Sequence, residues 1–277
     1  MKIMSSSKKK VEESFDRASS TYDEQVLAID PNILTSYNRL FQEISIPENP
    51  ITLDVGCGTG TSTFELAKKC NRKGLFHGMD LSQKMIEVAE QKATRLGYDN
   101  CVFSQGDAEE LDYSDSTFDL VTSSHALHLI PDKLKALSEM YRVLKPGGLM
   151  ALIYTGEGTF NEVFSILKGL EDRYPEWFKD YSWDEVSNVF ISLEKSHELF
   201  AQVGFENIRV YALDEINFVE PSRAHGKDYV FSFWQEDLPS DRVLALKKEM
   251  VDEIKERSTN FGFKQTFYYI YAHCTKP

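Results

Sequence analysis

An apolar run, Ile51-Thr52-Leu53-Asp54-Val55, breaks directly into Gly56-Cys57-Gly58-Thr59-Gly60, and the segment 61–70 that follows carries Phe64, Leu66 and Ala67 at helical spacing. A strand that ends in Gly-x-Gly-x-Gly and opens a helix lets a ligand come close to bare backbone. Free N–H groups at such a turn suit an anionic or polar ligand group. The dinucleotide fingerprint is Gly-x-Gly-x-x-Gly. Here Thr61 stands at its third glycine position and the extra glycine comes one residue early. The turn therefore points to a ligand with an anionic or polar group, and departs from the dinucleotide pattern.

The rest of the chain fits that start. Residues 75–79 read as a second strand, and Met85, Ile86, Ala89, Ala93 and Leu96 line one face of a helix with Ser82 as N-cap and Gly97 just past its end. Cys101-Val102-Phe103 and Phe118-Asp119-Leu120-Val121-Thr122 read as two further strands. Leu134, Leu137, Met140 and Leu144 line a helix expected to stop at Pro146-Gly147-Gly148, before an almost wholly apolar strand over 149–154. Strands alternating with helices at these lengths predict a doubly wound α/β sheet with right-handed crossovers.

After Tyr154 the alternation breaks. Residues 155–192 are rich in aromatics and acids, including Trp177 and Trp183, and 215–263 form a second insertion holding Trp234 and the stripe Val243, Leu246, Met250 and Ile254. Between them lie a helix over 193–203, ended by Gly204, and an alternating strand over 205–211; residues 265–274 make the last strand. The 277 residues thus divide into a helical leader, 1–45, and one large domain, 46–277, capped by two insertions.

Charge narrows the function. Lys plus Arg total 31 against 44 Asp plus Glu, a net charge of −13 that repels nucleic acid. No run approaches the roughly 18 apolar residues of a membrane helix. Residues 1–10 carry no apolar signal core, so a cytoplasmic location is expected. The cysteines, Cys57, Cys70, Cys101 and Cys274, show no metal-ligand spacing.

Two acids stand at informative places. Asp80 follows Gly60 by twenty residues and closes the second strand, where a carboxylate accepts hydrogen bonds from ribose hydroxyls. Asp107, in Gly106-Asp107-Ala108-Glu109, follows the third strand; its carboxylate can take an adenine amine with Ala108 alongside, or form an Asx-turn.

These segments, together with Gly78-Met79-Asp80-Leu81-Ser82, Phe118-Asp119-Leu120-Val121 and Leu144-Lys145-Pro146-Gly147-Gly148, resemble the ordered motifs of class I S-adenosyl-L-methionine-dependent methyltransferases. The resemblance implies a Rossmann-like seven-stranded sheet with an antiparallel last strand. It also implies a cofactor site drawn from Asp54, Gly56, Cys57, Gly58, Gly60, Asp80, Leu81, Met85, Asp107, Ala108 and Ser123. The leader, Phe15-Asp16-Arg17-Ala18 with Tyr22-Asp23, is similar to the branch acting on malonyl-acyl-carrier-protein, trans-aconitate and quinone-pathway compounds. In that branch the leading helix closes over the cofactor and the residue matching Tyr22 touches its methionine end. Ser124-His125-Ala126-Leu127-His128-Leu129 resembles the trans-aconitate type, with Leu129 where a tryptophan is usual.

The expected reaction is methyl transfer to a small-molecule acceptor, with a carboxylate as the candidate, by in-line displacement. His125 and His128 are the candidate bases. Arg223, His225 and Lys227 are the cations that would anchor an anionic acceptor. A non-catalytic cofactor-binding partner subunit and a protein or nucleic-acid methyltransferase are the rival readings. An Asn/Asp-Pro-Pro-Tyr base-flipping motif is missing after the fourth strand, where the chain reads Thr122-Ser123-Ser124-His125.

Overall fold

The computed structural model describes residues 8–29, 33–178, 189–221 and 240–277. The described chain opens with α1 (Lys8–Ala18), α2 (Tyr22–Ile29) and α3 (Ile33–Glu43). Strands and helices then alternate through β1 (Ile51–Val55), α4 (Thr61–Lys69), β2 (Leu75–Asp80), α5 (Gln83–Leu96), β3 (Cys101–Gln105), β4 (Phe118–Ser124), α6 (Lys133–Val143) and β5 (Leu144–Thr155). Beyond these lie α7 (Asn161–Arg173), α8 (Leu193–Val203), β6 (Glu206–Val219), α9 (Ser240–Glu256) and β7 (Phe263–Thr275).

The strands form one seven-stranded sheet in the order β3-β2-β1-β4-β5-β7-β6. β1 lies between β2 and β4, parallel to both. The order therefore reverses beside β1, which opens a crevice at the carboxyl ends of the strands. β7 runs antiparallel between β5 and β6. Apolar side chains cover both faces. α3, α4, α5, α7 and α9 pack on one, through Phe41, Leu66, Ile86, Leu167 and Met250; α6 and α8 pack on the other, through Leu137, Met140 and Phe200. Each such fully buried side chain contributes about 1.5–3 kcal/mol, which fixes the strand ends in space.

Local signals fix the ends of α5. Ser82 Oγ accepts from the Met85 N–H at 3.1 Å, and Gly97 closes the helix at φ 67°. The expectations for the fifth and sixth strands need correction. α6 ends at Val143 and β5 begins at Leu144, so Pro146-Gly147-Gly148 lies inside the strand's irregular start. The cause is a distant partner: Lys276 Nζ donates to the carbonyls of Tyr141, Arg142 and Leu144, and the Gly147 N–H donates to the Lys276 carbonyl. β6 continues to Val219, into the expected insertion, because β7 pairs with it as far as Val219↔Phe263.

Candidate active site

The crevice beside β1 is an open cleft whose empty space, mouth included, is roughly 760 Å³. One wall is Val55, Gly56 and Gly58 with Met79, Asp80 and Leu81; Gly106, Asp107, Ala108 and Glu109 close one end. Ser124, His125, Ala126, Leu129, Ile130 and Pro131 close the other, and Lys8, Val11, Glu12, Phe15 and Tyr22 form the roof.

The glycine turn is built for close approach. Gly56 has φ +73°, and a Cβ there would sit 2.3 Å from the Ala126 Cβ, so only glycine lets the loop after β4 pack against the turn. Gly60 has φ +83°, with the Phe103 and Phe64 rings 2.9 Å from where a Cβ would be. The expected free N–H groups are largely engaged. Gly56 and Cys57 both donate to the Met79 carbonyl, at 2.7 and 3.0 Å, and Gly60 donates to the Cys57 carbonyl at 2.9 Å. Gly58 donates to Asp80 Oδ2 at 2.8 Å. The turn thus offers bare Cα surface rather than an open amide cradle, because β2 and Asp80 use the amides.

Asp80 also takes the Ser82 N–H on Oδ1 at 2.9 Å. A carboxylate has about four lone-pair sites, so acceptor capacity remains toward the cleft. Burial pushes its pKa up to about 6, against the pull of the Ser82 and Gly58 N–H groups. Asp107 Oδ1 accepts from the Glu109 N–H at 2.9 Å, the Asx-turn, while Oδ2 takes Lys8 Nζ at 2.6 Å. Lys8 also reaches Glu109 Oε2 at 2.7 Å. Two carboxylate stations with the apolar Met79, Leu81 and Ala108 around them fit a ribose diol and a flat base bearing an amine.

At the opposite end, His125 sits in the left-handed region at φ +58°, which histidine adopts more readily than most non-glycine residues, and its N–H donates to the Ile153 carbonyl at 2.7 Å. Its ring lies 5.7 Å from that of Tyr37 and 4.9 Å from that of Tyr269. Nε2 is buried with no hydrogen-bond partner, and burial lowers the pKa to about 4. The imidazole is therefore neutral at pH 7.

Of the residues anticipated from sequence, Tyr22, Gly56, Gly58, Asp80, Leu81, Asp107, Ala108 and His125 line the cleft. The others lie behind it. Asp54 is buried beneath the turn, accepting from Ser62, Thr63 and Thr122, and burial raises its pKa; it ties α4 and β4 to β1. Cys57 is buried, its thiol pKa pushed up by burial. Gly60 shapes the helix start, Met85 is in the core, and Ser123 Oγ donates to the Val55 carbonyl at 2.7 Å. His128 is buried against Phe190, their rings 5.7 Å apart. Its pKa falls to about 3 through burial first, then the neighbouring His125 and Lys133.

Sequence reading missed Lys8, Glu12 and Glu109 as lining residues. Lys8 sits in the run Lys8-Lys9-Lys10, which reads as a solvated tail; its place one turn before Val11 and two before Phe15 is the available signal. Trp177 is half-buried and stacked on Tyr174 at 4.1 Å. Trp183, Arg223, His225, Lys227 and Trp234 lie outside the described residues.

Comparison with known proteins decides between nucleoside-binding families. Residues 47–204, more than half of the chain, match the model of a methyltransferase domain family. The demethylmenaquinone methyltransferase of Staphylococcus aureus is 33% identical over 212 residues, covering 68% of this chain and 87% of the relative. The chain belongs to the methyltransferase family. It is an enzyme whose methyl donor is S-adenosyl-L-methionine. A solved Bacillus halodurans protein shares the fold at TM-score 0.61 and 20% identity, covering 88% of this chain and 99% of that one. Phosphoethanolamine N-methyltransferase 2 of Haemonchus contortus, solved with S-adenosyl-L-methionine, shares it at TM-score 0.54 and 20% identity, over 88% of this chain and 52% of that one.

Proposed function

We propose that this methyltransferase acts on a small, uncharged aromatic acceptor of the quinone type, brought to the His125 end of the cleft. The observation that carries the reading is the chemistry of that end. Tyr22, Ser124, His125, Ala126, Leu129, Ile130 and Pro131 bring no charged side chain to it, and the one titratable imidazole is held neutral. Apolar walls with a few polar points suit a flat ring carrying a hydroxyl better than a carboxylate. The acceptor named for the Staphylococcus relative, demethylmenaquinone, is of that chemistry.

In this reading Asp80 takes the ribose hydroxyls and Asp107 the adenine amine, with Ala108 and Leu81 against the base. Gly56 and Gly58 give close passage to the methionine portion, and Tyr22, which lies 3.9 Å from where a Gly58 Cβ would be, covers it. Once bound, the cofactor supplies an already electrophilic sulfonium methyl, so in-line alignment and exclusion of water are what the protein adds. His125, neutral and part of the cleft wall, takes up the proton of an acceptor hydroxyl and orients its ring. Tyr37 and Tyr269 fix the plane of the imidazole. His128, behind the loop, supports His125 rather than touching the acceptor.

The carboxylate acceptor rests on Arg223 and its neighbours. One experiment separates the two: tritiated methyl transfer from S-adenosyl-L-methionine to reduced demethylmenaquinone with a shortened tail and to a set of small di- and tricarboxylates. Label is expected in the quinol. Label in a carboxylate alone would overturn the aromatic reading.

A further inference from the structure

The wall of the cleft that follows β4, from Ser124 to Pro131, is held in two different ways. Its first half is fixed by the sheet and the glycine turn. The His125 N–H donates to the Ile153 carbonyl at 2.7 Å, Ala126 packs on Gly56, and Leu127 is 1% exposed. Its second half, Leu129-Ile130-Pro131, is bonded mainly from within. The Leu129 and Ile130 N–H groups donate to the Ala126 and Leu127 carbonyls at 2.9 and 3.2 Å. Lys133 Nζ reaches back to the His128 and Ile130 carbonyls at 3.4 and 3.0 Å.

The tie to the rest of the cleft comes from the turn after β3. Glu109 Oε1 accepts the Asp132 N–H at 3.0 Å, and Glu109 is only 6% exposed. Its own N–H closes the Asx-turn on Asp107 Oδ1, and its Oε2 takes Lys8. One residue thus lends its backbone to the turn assigned to adenine and its side chain to the end of the wall that begins at Ser124. The seam continues along α6. The Leu111 N–H donates to Glu139 Oε2 at 2.9 Å, and Arg142 donates to the carbonyls of Leu111 and Tyr113 at 2.8 and 2.7 Å. Those bonds, with Ala136 and Leu137 fully buried, hold the helix itself. Glu109 holds the chain just ahead of it.

We infer that Glu109 is a positioning residue for methyl transfer: through the Asp132 N–H it sets the span between the adenine turn and the Leu129–Pro131 wall, and so the alignment of acceptor with cofactor. The inference rests on the proposed placing of nucleoside and acceptor at the two ends of the cleft. Glu109 touches no reacting atom. It acts through Asp132, and a displacement of about 1 Å at such a distance costs up to about 10²-fold in rate.

The test compares wild type, Glu109→Leu and Glu109→Gln by kcat with short-tailed reduced demethylmenaquinone, by the calorimetric dissociation constant for S-adenosylhomocysteine, and by hydrogen exchange of the ligand-free protein. Leucine fills similar space without an acceptor; Asp132 is exposed, so water can take its N–H and the variant still folds. Glutamine keeps an oxygen for that N–H and gives up the charge that meets Lys8, which retains Asp107. In Glu109→Leu, kcat should fall at least about tenfold while S-adenosylhomocysteine affinity stays within about threefold of wild type. Protection should fall at the 129–132 amides and persist across α6. Glu109→Gln should restore most of the rate and of the protection. Wild-type kcat or wild-type protection in Glu109→Leu would overturn the inference. Equal losses in the two variants would overturn it too, because the charge toward Lys8 rather than the bond to Asp132 would then matter. A loss of S-adenosylhomocysteine affinity as large as the loss of kcat would make Glu109 part of the cofactor site and overturn its positioning role. If wild type methylated no quinol, the proposed function would fall, and the exchange data would still decide the tie to Asp132.

Discussion

The two ends of the cleft are made in different ways. The end proposed for the nucleoside is drawn from three short stretches at the ends of β1, β2 and β3, and its residues lie close together in sequence: Gly56 with Gly58, Asp80 with Leu81, Asp107 with Ala108. The end proposed for the acceptor is assembled from far apart. His125 follows β4, Tyr37 lies in α3 and Tyr269 in β7, and they meet only through packing. A part common to many reactions is encoded locally, where strand ends fix it. The other end is gathered from a loop, a helix and a strand that lie far apart along the chain.

Substitutions should respect that division. The largest effect belongs to Gly56→Val. Its Cβ would collide with Ala126 at 2.3 Å in a left-handed backbone, so about 3 kcal/mol of stability or more should be lost, together with S-adenosylhomocysteine binding. Thermal unfolding and calorimetry check both; a variant that melts and binds like wild type would mean that the loop after β4 yields freely.

His125→Asn should strike the opposite end. With a quinol acceptor, kcat should drop about 10²-fold, while the dissociation constant for S-adenosylhomocysteine stays within about twofold of wild type. Loss of cofactor affinity in that variant would show that the two ends are not separable. Because His125 already holds its pKa near 4, its contribution to kcat should be constant from pH 6 to 8.

A smaller effect comes from pH. Asp80 is held at about 6, and only the ionised carboxylate accepts from two hydroxyls at once. Cofactor affinity should therefore be level above about pH 7 and decline as pH falls through 6, by up to about tenfold per pH unit. Titration calorimetry at pH 5, 6 and 7.5 reads the decline. Affinity that rises on acidification would remove Asp80 from the site.

The same contrast governs how much of the molecule is legible in its sequence. β1, the glycine turn and α5 are visible because period, cap residues and glycine positions are local signals. Asp80 and Asp107 are visible because they follow the turn by one and two helix–strand units. The true start of β5 is not visible, since Lys276 holds the end of α6 from the far end of the chain. Nor is the length of β6, which depends on β7. Asp54 and Ser123 sit within the motifs yet serve the scaffold, and adjacency in sequence cannot tell a lining residue from the one beneath it. Lys8 shows the reverse case: a lysine in a polar leader acquires a role only when α1 is laid across Asp107 and Glu109.

The central claim is that the cofactor lies along β1, β2 and β3 with its ribose on Asp80. Calorimetric titration of S-adenosylhomocysteine into wild type and Asp80→Asn at pH 7.5 tests it most directly. Asparagine keeps the shape and can still accept one backbone N–H, but it loses the charge and one acceptor oxygen. Hydrogen bonds to a charged group are worth about 1.5–3 kcal/mol each, so binding with one ligand per chain in wild type should weaken at least about tenfold in Asp80→Asn, while the ligand-free protein, with one of the Gly58 and Ser82 N–H groups left unpaired, loses about 1–3 kcal/mol of stability and still folds. Equal affinity in the two proteins would contradict the claim, leaving Asp80 as a brace between Gly58 and Ser82 and placing the nucleoside elsewhere.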